Sequence, residues 1–176
     1  MGRVVAGAVL AMAGKTVDLK PGDIKFGIKE INIPAHKENH REAEARAVLE
    51  LYNNGRQDEL PYKAMELTTV VAEANRIVAM LTGPDSFPFV LSAISFGDFA
   101  LVGIPGELFV ELGRRVERES IFDATFVCCL TNGGDCYFPT ASAYDEGGYE
   151  ARSSKLDRSV EEIVVNGIKE LFSELK

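Results

Sequence analysis

The chain has no tryptophan, two histidines and three cysteines among its 176 residues. An odd cysteine count makes no disulfide framework. Cys128, Cys129 and Cys136 also lack metal-binding spacing, so each reads as a small apolar residue that prefers burial. Positive charge is scarce too: 19 Lys and Arg face 27 Asp and Glu, a net charge of -8. That excludes the basic patch of a nucleic-acid binder. It also removes any electrostatic pull towards anionic membranes. No run approaches the roughly 18 apolar residues of a transmembrane segment. The apolar start, MGRVVAGAVLAMAGKTV, is broken by Gly7. It reads as an amphipathic helix with Val5, Ala8, Val9 and Met12 on one face, not as a cleaved signal. A cytoplasmic chain is the expectation.

What is present fits one globular domain over residues 1–176. Hydrophobic residues make up 46% and charged residues 26%, enough apolar side chain for a substantial core. DIKFGIKEINIP alternates Ile24, Phe26 and Ile28 with Lys25 and Lys29, the pattern of a strand ending at Pro34. Asn39 and Glu42 stand at capping-box spacing and open a helix that closes at Asn54-Gly55. A second helix carries Leu60, Ala64, Leu67, Val71, Ala74, Val78 and Leu81 as one stripe. Two apolar runs flank Gly97-Asp98 and read as a central hairpin. After Gly103, Pro105 and Gly106 comes a helix burying Phe109, Leu112 and Val116. ATFVCCL reads as a short buried strand. A last helix starts near Ser159, with Glu162 at capping-box distance and Val160, Ile163, Val164, Ile168, Leu171 and Leu175 inside. The expected fold is α/β: a mixed sheet with a central hairpin, covered by amphipathic helices.

One stretch, CCLTNGGDCYFPTASAYDEGGYEARSSKL, shows neither helical nor alternating period. It holds Tyr137, Tyr144 and Tyr149, three of the five tyrosines, between the pairs Gly133-Gly134 and Gly147-Gly148. It reads as a long loop, and a long loop rich in aromatics is a functional one. If FALVGI and ATFVCCL are parallel neighbours, their carboxyl ends open on one sheet edge, where α/β folds bind ligands. Glu107, at a helix N-terminus, then meets Asn132, Tyr137 and Tyr149. Taken singly these residues have plainer roles. An acid complements a helix dipole, tyrosines pin a loop, and Asn132 makes a turn.

GDFALVGIPGELFVELGRRVERES followed by LTNGGDCYFPTASAYDEGGYEARSSKL resembles the neutral/alkaline non-lysosomal ceramidase family, which includes bacterial ceramidase-like proteins. The resemblance runs from about residue 86 to the end and places the chain in the C-terminal part of that catalytic domain. It implies a zinc-dependent amidase acting on the N-acyl bond of ceramide or a related N-acyl lipid. It implies Glu107, from PGE, and Tyr137, five residues after Asn132, as zinc ligands. Tyr149, twelve residues further on, would border the substrate and the reaction centre, and Tyr144 would be structural. The family's two zinc histidines belong to upstream motifs that this sequence does not contain. His36 and His40 do not occupy them and read as solvated surface residues. The isolated chain is therefore expected to be inactive, and its partners to be the upstream half of the domain or another chain. The alternative is a non-catalytic ligand- or partner-binding domain of the same fold. An unrelated enzyme with Cys128 or Cys136 as nucleophile is the weakest reading, because no nucleophile motif frames them.

Overall fold

A computed structural model describes residues 1–20, 22–134 and 136–176. The elements run α1 (Gly2–Met12), β1 (Ile24–Pro34), α2 (Glu42–Asn53), α3 (Ala64–Leu81), β2 (Ser86–Phe96), β3 (Phe99–Gly103), β4 (Glu107–Leu108), α4 (Val110–Arg118), β5 (Ala124–Cys128), β6 (Tyr137–Phe138), α5 (Ala141–Glu146), α6 (Tyr149–Ser153) and α7 (Val160–Leu175). Four strands form a mixed sheet in the order β1-β2-β3-β5, and β4 pairs with β6 in a separate ribbon. This is the expected α/β architecture.

The hairpin turns at Gly97-Asp98, with Phe96 opposite Phe99 and Gly97 at φ 58°. That left-handed backbone suits glycine. β3 and β5 run parallel, with Gly103 opposite Cys128, so their carboxyl ends open together. α7 carries Val160, Val164, Ile168, Leu171 and Phe172 into the main core, against Ile31, Ile33, Leu91 and Val102. At Gly167 a Cβ would lie 2.8 Å from the Leu91 side chain. The missing side chain is what lets α7 lie so close to β1 and β2. A second, smaller core joins Ala45 and Val48 of α2 to Val70, Val71, Ala74 and Ile77 of α3.

β1 faces the opposite way from the simplest reading of its pattern. Ile24, Phe26 and Ile28 are exposed, whereas Ile31 and Ile33 are buried. Lys25 and Lys29 lie on the α7 side and snorkel out to polar groups of its C-terminal half: Lys25 donates to the Lys176 carbonyl, and Lys29 pairs with Glu170. Long aliphatic stems make this possible.

Other expectations need correction. β5 is an edge strand, not a buried one, and Phe126 is exposed. Cys128 and Cys129 are exposed with it, and Cys136 is half-buried, so the expectation of buried cysteines fails. Neither expected capping box forms. A single 3-10 turn, Asn39–Arg41, precedes α2, and the Asp157 carboxylate accepts from the Ser159 amide before α7. Phe109 is the half-buried residue before α4, while Leu112 and Val116 are buried as expected. α1 forms, but none of its residues is buried. Among the described residues no helix is long and apolar enough to cross a membrane.

Candidate functional site

The PGE turn begins where β3 ends. Ile104 N–H donates to the Cys128 carbonyl, and Leu130 and Thr131 donate back to Gly106 and Ile104. These bonds tie the stretch after β5 onto the stretch after β3. Asn132 sits there with φ 61°, a turn residue as its type favours. Pro105 and Gly106 are buried, and a Cβ on Gly106 would overlap the Phe138 ring. Phe138 is itself fully buried, so it has nowhere to retreat. The glycine of PGE therefore sets the distance between the two segments that carry Glu107 and Tyr137.

Glu107 does not stand at a helix N-terminus. It lies on β4, and α4 begins three residues later at Val110. β4 pairs with β6 in parallel, and Glu107 is the register partner of Tyr137. The flanking bonds run from Glu107 N–H to the Cys136 carbonyl and from Phe109 N–H to the Phe138 carbonyl. Register partners on neighbouring strands project their side chains to the same face. The two candidate ligands are thus held side by side by backbone pairing.

The tyrosine stretch is not a loop throughout. It folds into β6, α5 and α6. Thr140 caps α5 by accepting from the Ala143 amide, and Gly147, at φ 74°, ends it. Gly148 then starts α6, which places Tyr149 in its first turn. Helices of five and six residues are too short to leave a readable period. Tyr149 meets Tyr137 edge-to-face, with ring centroids 6.2 Å apart. Glu107, Tyr137 and Tyr149 are therefore brought together, although no shared element of sequence links them.

Burial pushes the Tyr137 phenol up, and the nearby Glu107, Tyr149 and Glu150 push it the same way. A phenol whose ionisation a neighbouring carboxylate opposes is suited to a cation, which reverses that preference. Among the described residues no three His, Cys, Asp or Glu converge to hold a metal. The chain thus offers two oxygen donors, which fit part of a metal site. An open cleft of about 230 Å³ lies beside them, lined by Glu107, Gly134, Cys136, Tyr137, Ser153 and Lys155. Ser154, buried behind it, donates its hydroxyl to the Tyr137 carbonyl at 2.9 Å.

Tyr144 is structural. Its hydroxyl donates to the Leu156 carbonyl at 2.6 Å, and burial pushes its phenol up to about 12. Its ring meets His36 edge-to-face at 5.3 Å. His36 is therefore not the solvated residue expected. Burial first, then the charge of Arg76, lowers its basicity. His40 is exposed, as expected. Neither histidine is among the residues lining the cleft.

A buried charge network behind α6 escaped the sequence reading. Arg76 donates to the His36 and Arg152 carbonyls and to the Glu38 carboxylate. Glu73, one turn earlier on α3, receives Arg41 and Arg152. The signal was present: both charges interrupt the apolar stripe of α3 between Val70 and Ile77. Through Arg152 the network holds α6, and with it Tyr149.

No family model matches the chain, and neither does any curated protein. Solved structures do. The crystal structure of neutral ceramidase from Pseudomonas aeruginosa matches with a TM-score of 0.53 at 16% identity, over 88% of this chain and 29% of that chain. The fold is ceramidase-like. A ceramidase complexed with C2 matches over 52% of this chain and 15% of that one, at 18% identity and a TM-score of 0.45. The chain therefore spans less than a third of the length of these ceramidase structures.

Proposed function

We propose that residues 1–176 are the C-terminal part of a single catalytic domain, that of a zinc-dependent amidohydrolase cleaving the N-acyl bond of ceramide or a related N-acyl lipid. The observation that carries this reading is the parallel pairing of Glu107 with Tyr137, with Tyr149 against the same ring. Glu107 and Tyr137 would hold the zinc from this side, as carboxylate and phenolate. Zinc typically takes four ligands and keeps one position open in a catalytic site. The remaining protein ligands, histidines, come from an upstream half of the domain or from another chain. Bound zinc supplies polarisation of the amide carbonyl and a more acidic water. The Tyr149 hydroxyl would donate a hydrogen bond to the developing oxyanion. The ladder from β4 to β6 and the Ser154 bond to Tyr137 fix these groups before substrate arrives.

The purified 176-residue chain is expected to hydrolyse no N-acyl sphingosine with zinc present. Turnover by the chain alone contradicts the half-site reading. In a polypeptide that does supply the histidines, Glu107→Gln is expected to abolish hydrolysis. The second reading, a non-catalytic partner-binding domain of the same fold, is favoured by one observation. The sheet face that carries Phe26, Ile94, Leu101 and Phe126 is exposed on all four strands.

A further inference from the structure

His36 sits in a clasp between the end of β1 and the stretch that follows α6. Its N–H donates to the Lys155 carbonyl at 2.8 Å, and Asp157 N–H donates to the Pro34 carbonyl at 2.8 Å. Arg76 of α3 grips the clasp from behind. It donates to the carbonyls of His36 and Arg152 and to the Glu38 carboxylate. One guanidinium therefore ties residues 36, 38 and 152 to α3. The His36 side chain lies inside, 21% exposed, edge-to-face with the Tyr144 ring.

The surroundings suit a neutral imidazole. Nε2 lies 3.5 Å from the Glu38 oxygen that Arg76 already holds, and the other Glu38 oxygen receives Arg41. Nδ1 is buried and has no hydrogen-bond partner among the described residues. An imidazolium needs an acceptor at each nitrogen, and a buried charge without them is costly. Burial first, then Arg76, opposes the second proton. Glu38, the Ser154 carbonyl and Asp157 favour it but are outweighed. The other cations nearby are turned elsewhere: Arg152 to Glu73, Lys37 to Asp85 and Lys155 over the Phe87 ring.

We propose that His36 is a proton-operated latch, whose second proton, taken up in mildly acid solution, frees residues 149–157 from α3. The imidazolium and the Arg76 guanidinium repel each other and compete for one Glu38 oxygen. When Arg76 yields, the His36 and Arg152 carbonyls are released together. Ser153 and Lys155, which line the cleft, ride on the released stretch with Tyr149. So does Ser154, whose hydroxyl holds the Tyr137 carbonyl. The latch belongs to the fold and operates whether or not Glu107 and Tyr137 bind a metal.

Hydrogen exchange on the 176-residue chain, between about pH 7.5 and about pH 5, tests it. The folded protein holds the His36 proton more weakly than the ordinary value of 6.5 implies, so stability is full above that pH and falls below it. The loss begins before Glu73, with its ordinary value of 4.5, takes up a proton. Corrected for intrinsic rates, exchange in residues 149–157 is expected to quicken by up to about ten-fold per pH unit, the ceiling for one proton. The α7 amides are expected to quicken less. His36→Gln removes the titration and is expected to keep residues 149–157 unchanged over the same range. Should that variant misfold, the imidazole resonances of the wild-type chain decide, and His36 is expected to titrate below 6.5. The latch is overturned if exchange in residues 149–157 does not quicken, or quickens equally in His36→Gln. A His36 that titrates at or above 6.5 overturns it as well.

Discussion

Arg76→Ala is expected to destabilise the folded chain by about 3–5 kcal/mol, the cost of removing one partner from a buried charge network. Arg76 is 5% exposed and has three separate acceptors. Two are main-chain carbonyls from distant parts of the chain, His36 and Arg152. The third is the Glu38 carboxylate. Burial alone would push Glu38 up, but the hydrogen bond and charge of Arg76 outweigh this and lower it. Alanine leaves both carbonyls without that donor and deprives Glu38 of its shortest ion pair. A small domain is stable by only about 5–15 kcal/mol, so such a loss is a large share. The damage is also local. α2 and α3 form their own small core, and α3 meets α6 through this network. Urea denaturation measures the loss. Hydrogen exchange is expected to show faster opening in α3 and α6 than in α7. A loss below about 1 kcal/mol would mean that apolar contacts alone hold α3 in place.

The second large effect is acid sensitivity centred on Glu73. This carboxylate is 6% exposed. Burial pushes it up, but hydrogen bonds from Arg152 and Arg41, with their charges, bring it down to about 2. The ordinary value is 4.5. A folded-state value below the unfolded one stabilises the protein above the unfolded value, and this stabilisation fades as pH falls towards the folded one. The window therefore runs from about pH 4.5 down to about pH 2, and the full contribution is up to about 3 kcal/mol. Glu73→Gln carries no such titration. The stability gap between wild type and this variant is expected to close by up to that amount across the window, read as urea midpoints at successive pH values. A gap that stays constant with pH would show that the Arg41 and Arg152 pairs do not bias the protonation of Glu73.

Much of this architecture is legible in the sequence because it rests on local or periodic signals. The Gly97-Asp98 turn, the α3 stripe and the α7 face are of this kind. The parallel pairing of β3 and β5 entered the sequence reading only as a condition, and the structure meets it. The meeting of Glu107, Tyr137 and Tyr149 was legible through the PGE and tyrosine motifs together, not through any one residue. What stayed hidden depends on partners across the fold. The alternation in β1 names two faces but not which one is covered. In an ordinary two-layer protein the isoleucine and phenylalanine side would be inside. Here Lys25 and Lys29 occupy the covered side, Lys25 reaching the Lys176 carbonyl at the end of α7 and Lys29 the Glu170 carboxylate on the helix. β5 looked buried because its residues are apolar, yet its position at the sheet edge is a property of strand order. α5 and α6 hid because glycines and capping hydrogen bonds set their ends, not a long apolar stripe.

The position of Glu107 shows how the site depends on this level of detail. At a helix start, its carboxylate would serve the helix dipole. On β4 it is free of that role and stands beside Tyr137 instead. The network behind α6 supports the same site from the other side. Arg152 lies three residues after Tyr149, and Glu73 and Arg76 hold it by side chain and carbonyl respectively.

The most direct measurement is an ultraviolet difference titration with zinc at neutral pH, read at the tyrosinate band, on a purified polypeptide that also supplies the upstream histidines. If Glu107 and Tyr137 face a single cation, zinc draws the proton from one phenol and the band rises to one tyrosinate per chain. Glu107→Gln weakens that response, Tyr137→Phe removes it, and Tyr149→Phe leaves it in place. A chain in which millimolar zinc produces no tyrosinate, or in which Tyr137→Phe responds like wild type, would contradict the shared metal site.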